Sequence, residues 1–186
     1  MSIRLNEIHP SVVHFPLTLL PLAVLADALG KLTGRQRLND MGRALMPIGA
    51  ASAALAGGAG LLAQGTANAT GEAKNMLMKH RTINMGLVGL MGTLAFKRRK
   101  MEQPSAGYLL AGLGGLALMS YTAYLGGRMV YEHGVGVKPA GGLRSERVPE
   151  LHLDNIKLVA NESARHITQA AREVAGDVRA GKVLRE

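Results

Sequence analysis

Four histidines are the residues of this chain whose type and spacing could do chemistry. His9 and His14 begin the first apolar segment of the sequence. His80 begins the third apolar segment and His133 follows the fourth. Imidazole is a ligand of haem iron, zinc and copper. If the chain crosses a membrane once with each segment, all four side chains lie on the same side, so the sequence predicts a one-sided histidine cluster.

The first interpretation of this cluster is a haem b site. His14 and His80 are expected inside the first and third helices, which are diagonal neighbours in an up-down-up-down bundle. Two imidazoles at a similar depth could bind the iron of one haem from its two faces. Arg81 and Arg128 are expected at the same level, where they could pair with the propionates.

The second interpretation is a small metal site. His9, His14, His80 and His133 would then bind zinc or copper directly, because the chain has no cysteine to provide a thiolate. Nearby polar side chains would orient the imidazole N–H groups. These candidate orienting residues are Gln64, Asn68, Asn84 and Glu132. The competing interpretation is structural: the histidines cap helices or form an interfacial polar cluster, and the amides make interhelical hydrogen bonds.

Four apolar segments must position these residues. A bilayer core needs roughly 20 helical residues, and the first, second and fourth segments meet that length with little or no charge. The third is shorter, and its basic first turn, Lys79 to Arg81, would have to reach the interface. We therefore expect an all-α fold, a polytopic four-transmembrane-helix up-down bundle within residues 1–137. The expected helices cover about 11–30, 44–65, 76–96 and 105–131.

The loop charges predict the orientation. The formal charge of +9 is concentrated in short connections after the first and third helices, which the positive-inside rule places in the cytoplasm. We expect a multi-pass protein of the bacterial inner membrane with both termini on the outer, periplasmic side. Membrane orientation explains the basic residues better than nucleic-acid binding does. Because the positive charge follows the first apolar run, that run is expected to be a retained helix and not a cleaved signal peptide.

Asp27 is an acidic residue within the first apolar segment. It lies far beyond His14, so it is expected at the inner end of the helix. Lys31, one helical turn further on, is its expected partner. A proton path through Asp27 and the histidines would instead make the protein a small transporter or channel, although no interrupted repeat segments support a midplane substrate site.

The sequence changes character after the fourth segment. Residues 138–153 contain proline, glycine and mixed charge, and they are expected to form a linker. Residues 154–186 are expected to form an amphipathic helical tail, with a weak apolar stripe from Ile156 to Val178. Such a helix, over residues 154–182, suits a membrane surface or a protein partner. His152 and His166 are assigned to this solvated region.

Three motifs carry a resemblance to a known family. They are IHPSVVHFP at residues 8–16, the His80-Arg81 pair, and YLGGRMVY at residues 124–131 followed by GVGV. Over roughly residues 5–138 the chain resembles the bacterial domain of unknown function 2231 family. The resemblance implies a four-helix membrane protein, sometimes fused to a Rieske iron-sulfur domain, and so suggests redox work. This chain has no cysteine and cannot form a Rieske centre itself.

The sequence favours an integral membrane protein that binds haem b or a metal and takes part in electron transfer. The alternative is a non-catalytic accessory or anchoring subunit of a larger membrane complex, whose C-terminal helix docks a partner. An enzyme acting on a soluble substrate is disfavoured, because no Walker loop, nucleophile elbow, HExxH motif or dinucleotide fingerprint stands in a supporting context.

Overall fold

A computed structural model describes residues 3–137, 150–151 and 156–181. The fold is all-α, as predicted, and within the described residues its strands are a single two-residue antiparallel pair. The elements are β1 (Ile3–Arg4), α1 (Leu5–Val12), α2 (His14–Thr33), α3 (Gln36–Thr66), α4 (Gly71–Arg99), α5 (Ala106–Tyr131), β2 (Glu150–Leu151) and α6 (Ile156–Arg179). Most of the expected linker, together with His152 and Asp154, lies outside the described residues.

The prediction of membrane-spanning helices is confirmed for three of the four segments; the third segment is not among the candidate spans. Three stretches of the described chain are long and apolar enough to cross a membrane: Glu7–Thr33, Gln36–Thr66 and Ala106–Tyr131. Helix α4 is not among them, although its 29 residues would extend roughly 40 Å at 1.5 Å per residue. Helix α4 is therefore long enough to cross a membrane, and it differs from the three apolar stretches in having basic residues at both of its ends.

The outer faces of the helices are apolar. In α2, Leu22, Leu25 and Leu29 are about half exposed, whereas Ala23 and Val24 are fully buried. Large apolar side chains on several successive turns would be costly in water and are normal against lipid. This face of α2 therefore presents large aliphatic residues outward, while Leu20 of the same helix is buried.

Two helices begin earlier than expected. Helix α3 begins at Gln36 instead of residue 44, because Gly34, which follows the last residue of α2, adopts the left-handed conformation (φ 67°) and the chain turns at once. Helix α4 begins at Gly71 instead of residue 76. Basic residues expected in the first loop, such as Arg37 and Arg43, consequently lie in the first turns of α3.

The helix break at Val13 has a local cause. Pro16 has no N–H to donate to the carbonyl of Val12, so the regular hydrogen-bond pattern is interrupted there. The helix resumes as Leu17 N donates to Val13 O at 3.3 Å. The break leaves His9 in α1 and His14 in α2.

The chain divides into two compact units. Unit 1 comprises Met1–Ser11, Gly57–Ile83 and Thr122–Glu186, and unit 2 comprises Val12–Ala56 and Asn84–Tyr121. Unit 1 contains the β1–β2 pair and an apolar cluster formed by Ala67, Ala69, Ala73, Met76, Leu125, Met129 and Val135.

Close helix contact in unit 2 depends on glycine. A Cβ at Gly49 in α3 would lie 2.9 Å from the Leu20 side chain of α2, and a Cβ at Gly30 would lie 2.9 Å from the backbone nitrogen of Asn39. Neither position can accept a side chain without movement of a neighbour. These glycines therefore serve helix packing, which is their usual role in membrane bundles.

The passage of α4 through the membrane can be tested because the native chain has no cysteine. We predict that cysteines introduced at exposed Arg37 and Gln103 react with a membrane-impermeant maleimide from one side of oriented vesicles, and one at exposed Asn75 from the other side. Labelling of Asn75→Cys and Gln103→Cys from the same side would contradict a membrane-spanning α4. Detergent-permeabilised vesicles, in which all three should react, provide the control.

Candidate functional site

A fully buried ion pair forms the polar centre of unit 2. Arg98, near the end of α4, donates from Nε to both carboxylate oxygens of Asp27 at 3.0 and 2.9 Å, and from Nη2 to Oδ1 at 2.8 Å. Both side chains have no solvent exposure. Charge-assisted bonds of this fork geometry are among the strongest that side chains make.

The remaining hydrogen-bonding groups around this pair are also engaged. Tyr108 Oη donates to Asp27 Oδ2 at 2.8 Å. Arg98 donates from Nη2 to the Asn39 side-chain oxygen at 2.6 Å and from Nη1 to the Met101 carbonyl at 2.9 Å. A Cβ at Gly42 would collide with the Asp27 carboxylate. The network thus joins α2, α3, α4 and α5, and it is complete without a ligand.

The expected partner of Asp27 was wrong. Lys31 is exposed, whereas Asp27 bonds to Arg98, which lies 71 residues further along the chain. The physical reason is burial: the carboxylate points into the helix interface, and a guanidinium already held by backbone carbonyls can neutralise it there. The sequence also predicts a connection at the basic residues after the third segment, whereas Arg98 lies within α4 and is fully buried.

In unit 1, the structure brings together His9 and His80. The Nδ1 of His80 hydrogen-bonds to the backbone carbonyl of Thr122 at 2.9 Å. His9 is close enough to His80 to interact with it electrostatically. Both rings also lie against glycine: a Cβ would be 3.1 Å from the His9 ring at Gly60 and 3.4 Å from the His80 ring at Gly126. Glycine at these positions therefore gives the imidazoles room.

The other two histidines differ in their surroundings. His14 belongs to unit 2 and its side chain is exposed. His133 belongs to unit 1, where its Nε2 is buried without a hydrogen-bond partner among the described residues. Within residues 3–137, 150–151 and 156–181, no group of three or more histidine, aspartate and glutamate side chains is placed to hold a metal ion. The expected four-histidine zinc or copper site stays a prediction.

The two arginines expected to pair with propionates already contact carboxylates. Arg81 bonds to Glu173 and Asp177 of α6. Arg128 forms a forked pair with Glu132, with contacts of 2.6 to 2.9 Å. Through this hydrogen bond, Arg128 holds the pKa of the Glu132 carboxyl below its ordinary value.

The expected orienting residues are distributed over both units. Gln64 is partly buried and Asn68 exposed, both in unit 1, whereas Asn84 belongs to unit 2. Glu132 accepts its side-chain hydrogen bonds from Arg128. The partner that orients His80 is instead a main-chain carbonyl, which no residue type in the sequence could indicate.

Removing one charge of the buried pair should destabilise the protein strongly. We predict that Asp27→Asn lowers the free energy of unfolding by about 3–5 kcal/mol, because it leaves the Arg98 charge buried without a counter-charge. Reversible unfolding in mixed micelles, followed by circular dichroism, measures this. Tyr108→Phe, which removes a single hydrogen bond to the carboxylate, should cost less, about 1.5–3 kcal/mol.

The double variant Asp27→Leu/Arg98→Met should recover most of the lost stability, since it removes both charges and keeps their volume apolar. Asp40→Asn is the matched control, because Asp40 is exposed and accepts a hydrogen bond from the exposed Gln36 of the same helix. If Asp27→Asn and Asp40→Asn have equal effects, the buried pair does not hold the helices.

The comparisons with known proteins agree with the helical membrane architecture. Residues 6–139 match the model of a family described as "Predicted membrane protein (DUF2231)". Neither the curated proteins nor the solved structures show a significant match. The matched range contains α2 to α5 and α1 from its second residue, together with the buried ion pair of unit 2, His9 and His80, and it ends before α6. The chain therefore belongs to the DUF2231 family of predicted membrane proteins.

Proposed function

We propose that this chain is a membrane redox component that binds a haem b, or a metal ion, through His80 together with His9. The observation that carries the proposal is the hydrogen bond between His80 Nδ1 and the Thr122 carbonyl. A ring that donates from Nδ1 to a carbonyl presents the lone pair of Nε2. This arrangement fixes the tautomer and orientation of metal-binding histidines in many proteins.

His9 is the second ligand in this proposal. It lies in the same unit as His80, close enough for an electrostatic interaction, whereas His14 is exposed in the other unit. A bis-histidine haem requires only two protein ligands, and a pair is what the described residues of unit 1 offer. A haem therefore fits the available donors better than zinc or copper, which would need further ligands.

The role of the protein residues follows from their positions. A bound haem would supply a one-electron couple between ferric and ferrous iron. His80 would be held in one orientation by Thr122, and His9 would be held against Gly60. Arg81, adjacent to His80 in sequence, would provide a nearby positive charge that is partly balanced by α6 carboxylates.

We propose further that the end of unit 2 containing Arg37 faces the cytoplasm of a bacterial inner membrane. Exposed basic side chains gather at the ends of α2, α3 and α4; they are Lys31, Arg35, Arg37, Arg43, Lys97, Arg99 and Lys100. The positive-inside rule supports this orientation even with Arg98 removed from the count. If α4 also spans the membrane, both termini lie on the periplasmic side.

An accessory or anchoring role is the second candidate. It is favoured by α6, which lies outside the family match and exposes Arg165, Arg172 and Arg179. Arginines seven residues apart share one stripe of a helix, opposite the buried Ala170 and Val174. Such a stripe fits an acidic surface of a protein partner in a larger membrane complex.

A spectroscopic experiment tests the haem proposal. Protein purified in mild detergent and supplemented with haem should show a Soret band and a low-spin b-type reduced-minus-oxidised spectrum. We predict that His80→Ala and His9→Ala each abolish the low-spin spectrum, because each removes one of the two residues that would hold the haem. His14→Ala, a substitution of an exposed histidine, should leave it unchanged.

Two outcomes would contradict this assignment. If neither a Soret band nor stoichiometric metal appears in the wild-type protein, the redox proposal fails as a whole. If His14→Ala loses the spectrum while His9→Ala keeps it, the ligand pair is His14 with His80, the pair that the sequence predicts. Size-exclusion chromatography of each variant verifies that the loss does not come from unfolding.

A further inference from the structure

The attachment of α6 to unit 1 centres on a buried arginine. Arg81 is only 8% exposed, and its Nη1 and Nη2 contact Glu173 at 3.2 Å and Asp177 at 2.7 Å. The two acids are four residues apart, so they project from one side of α6. Each terminal nitrogen of Arg81 thus contacts a different carboxylate of the same helix.

Apolar side chains also contribute to this attachment. Among the side chains of α6 that the structure describes, Ala170 and Val174 are buried, while Ile167 and Val178 are exposed. Both buried side chains are small, so each contributes little apolar area. The ion pairs with Arg81 add a charged contribution to the position of α6, and competing anions can weaken that contribution.

Arg81 has donor capacity beyond these contacts. Its Nε is buried and has no hydrogen-bond partner among the described residues. Arginine commonly binds carboxylate or phosphate through two parallel N–H donors, and Nε with Nη2 forms one such pair. A phosphate group has enough oxygens to occupy Nε as well as a terminal nitrogen. The present carboxylates satisfy the guanidinium only in part.

The position of Arg81 in α4 favours the phosphate of a lipid headgroup as its anionic ligand. The side chain precedes the uncharged run of α4 from Thr82 to Phe96, and arginines at the ends of apolar helices reach the headgroup layer. Anionic phospholipids concentrate phosphate at this depth. The residues that match the family include Arg81 but not Glu173 and Asp177. The two carboxylates that contact this arginine therefore come from a helix outside the family match.

We propose that Arg81 is a binding site for the phosphate of an anionic phospholipid, and that Glu173 and Asp177 occupy this site in its absence. Lipid and α6 then compete for one guanidinium. Binding of the headgroup releases α6 from unit 1, and loss of the headgroup allows α6 to dock again. The proposal does not rest on haem or metal binding.

Electron paramagnetic resonance can measure docking directly, since labels attach only at introduced cysteines. Lys74→Cys in α4 and Ala175→Cys in α6 are both exposed positions of unit 1. With spin labels at both, nanodiscs of phosphatidylcholine should give a narrow distance distribution. Nanodiscs containing phosphatidylglycerol should reduce that population in proportion to the anionic fraction and produce a broad, longer component.

Three further variants separate the contributions of the α6 carboxylates and of Arg81 to docking and to the lipid response. Glu173→Gln/Asp177→Asn should give the broad component in either lipid, because the competing carboxylates are lost. Arg81→Gln should also give the broad component, and its distribution should no longer respond to phosphatidylglycerol. Arg128→Gln is the matched control, since it removes an arginine that pairs with other acids, and it should keep the lipid response.

Several results would overturn the proposal. A distance distribution that is the same in both lipids would exclude competition by the headgroup. Retention of the narrow component by Glu173→Gln/Asp177→Asn would show that the carboxylates do not hold α6. A persistent lipid response in Arg81→Gln would place the lipid site elsewhere. An equal shift produced by inorganic phosphate in phosphatidylcholine nanodiscs would overturn the assignment to lipid and identify a site for soluble phosphate.

Discussion

The buried pair of Asp27 and Arg98 is the interaction on which unit 2 depends. Charges without solvent exposure are costly unless each is neutralised and hydrogen-bonded, and here both conditions are met. The acid comes from α2 and the arginine from α4, while α3 and α5 contribute Asn39 and Tyr108. Any arrangement that separated these helices would expose an unpaired charge to an apolar medium. The pair therefore selects one helix arrangement, whatever its net effect on stability.

Polar interactions have this selective role because the surroundings are apolar. Between helices in a bilayer, lipid tails are as apolar as leucine, so burial of apolar area gives little preference for one helix partner over another. Close packing at glycines such as Gly49, and hydrogen bonds between side chains, must supply that preference. In unit 1 the same principle applies to the His80 contact with Thr122 and to the Arg81 contacts with α6.

The sequence was sufficient to predict the features that depend on local residue patterns. It was insufficient to predict which side chains pair over long sequence distances. Apolar runs indicated the helices, and the HPSVVHFP motif indicated the family. The partner of Asp27 could not be identified locally, since Lys31 has the ideal helical spacing and Arg98 is one of four adjacent basic residues. The choice among Lys97, Arg98, Arg99 and Lys100 required knowledge of which side of α4 faces inward.

Helix α4 shows why the same residues that weaken a membrane signal can carry function. Its charges at both ends separate it from the three apolar spans, yet Arg98 completes the polar network of unit 2 and Arg81 anchors α6 in unit 1. The apolar middle of α4 does not require charged residues at the two ends. The free-energy cost of burying those charges must therefore be offset by specific partners. The network around Arg98 is complete and serves helix packing, whereas the Nε of Arg81 has no hydrogen-bond partner among the described residues. The amino-terminal end of α4, where His80 lies beside Arg81, is therefore where binding chemistry should be sought.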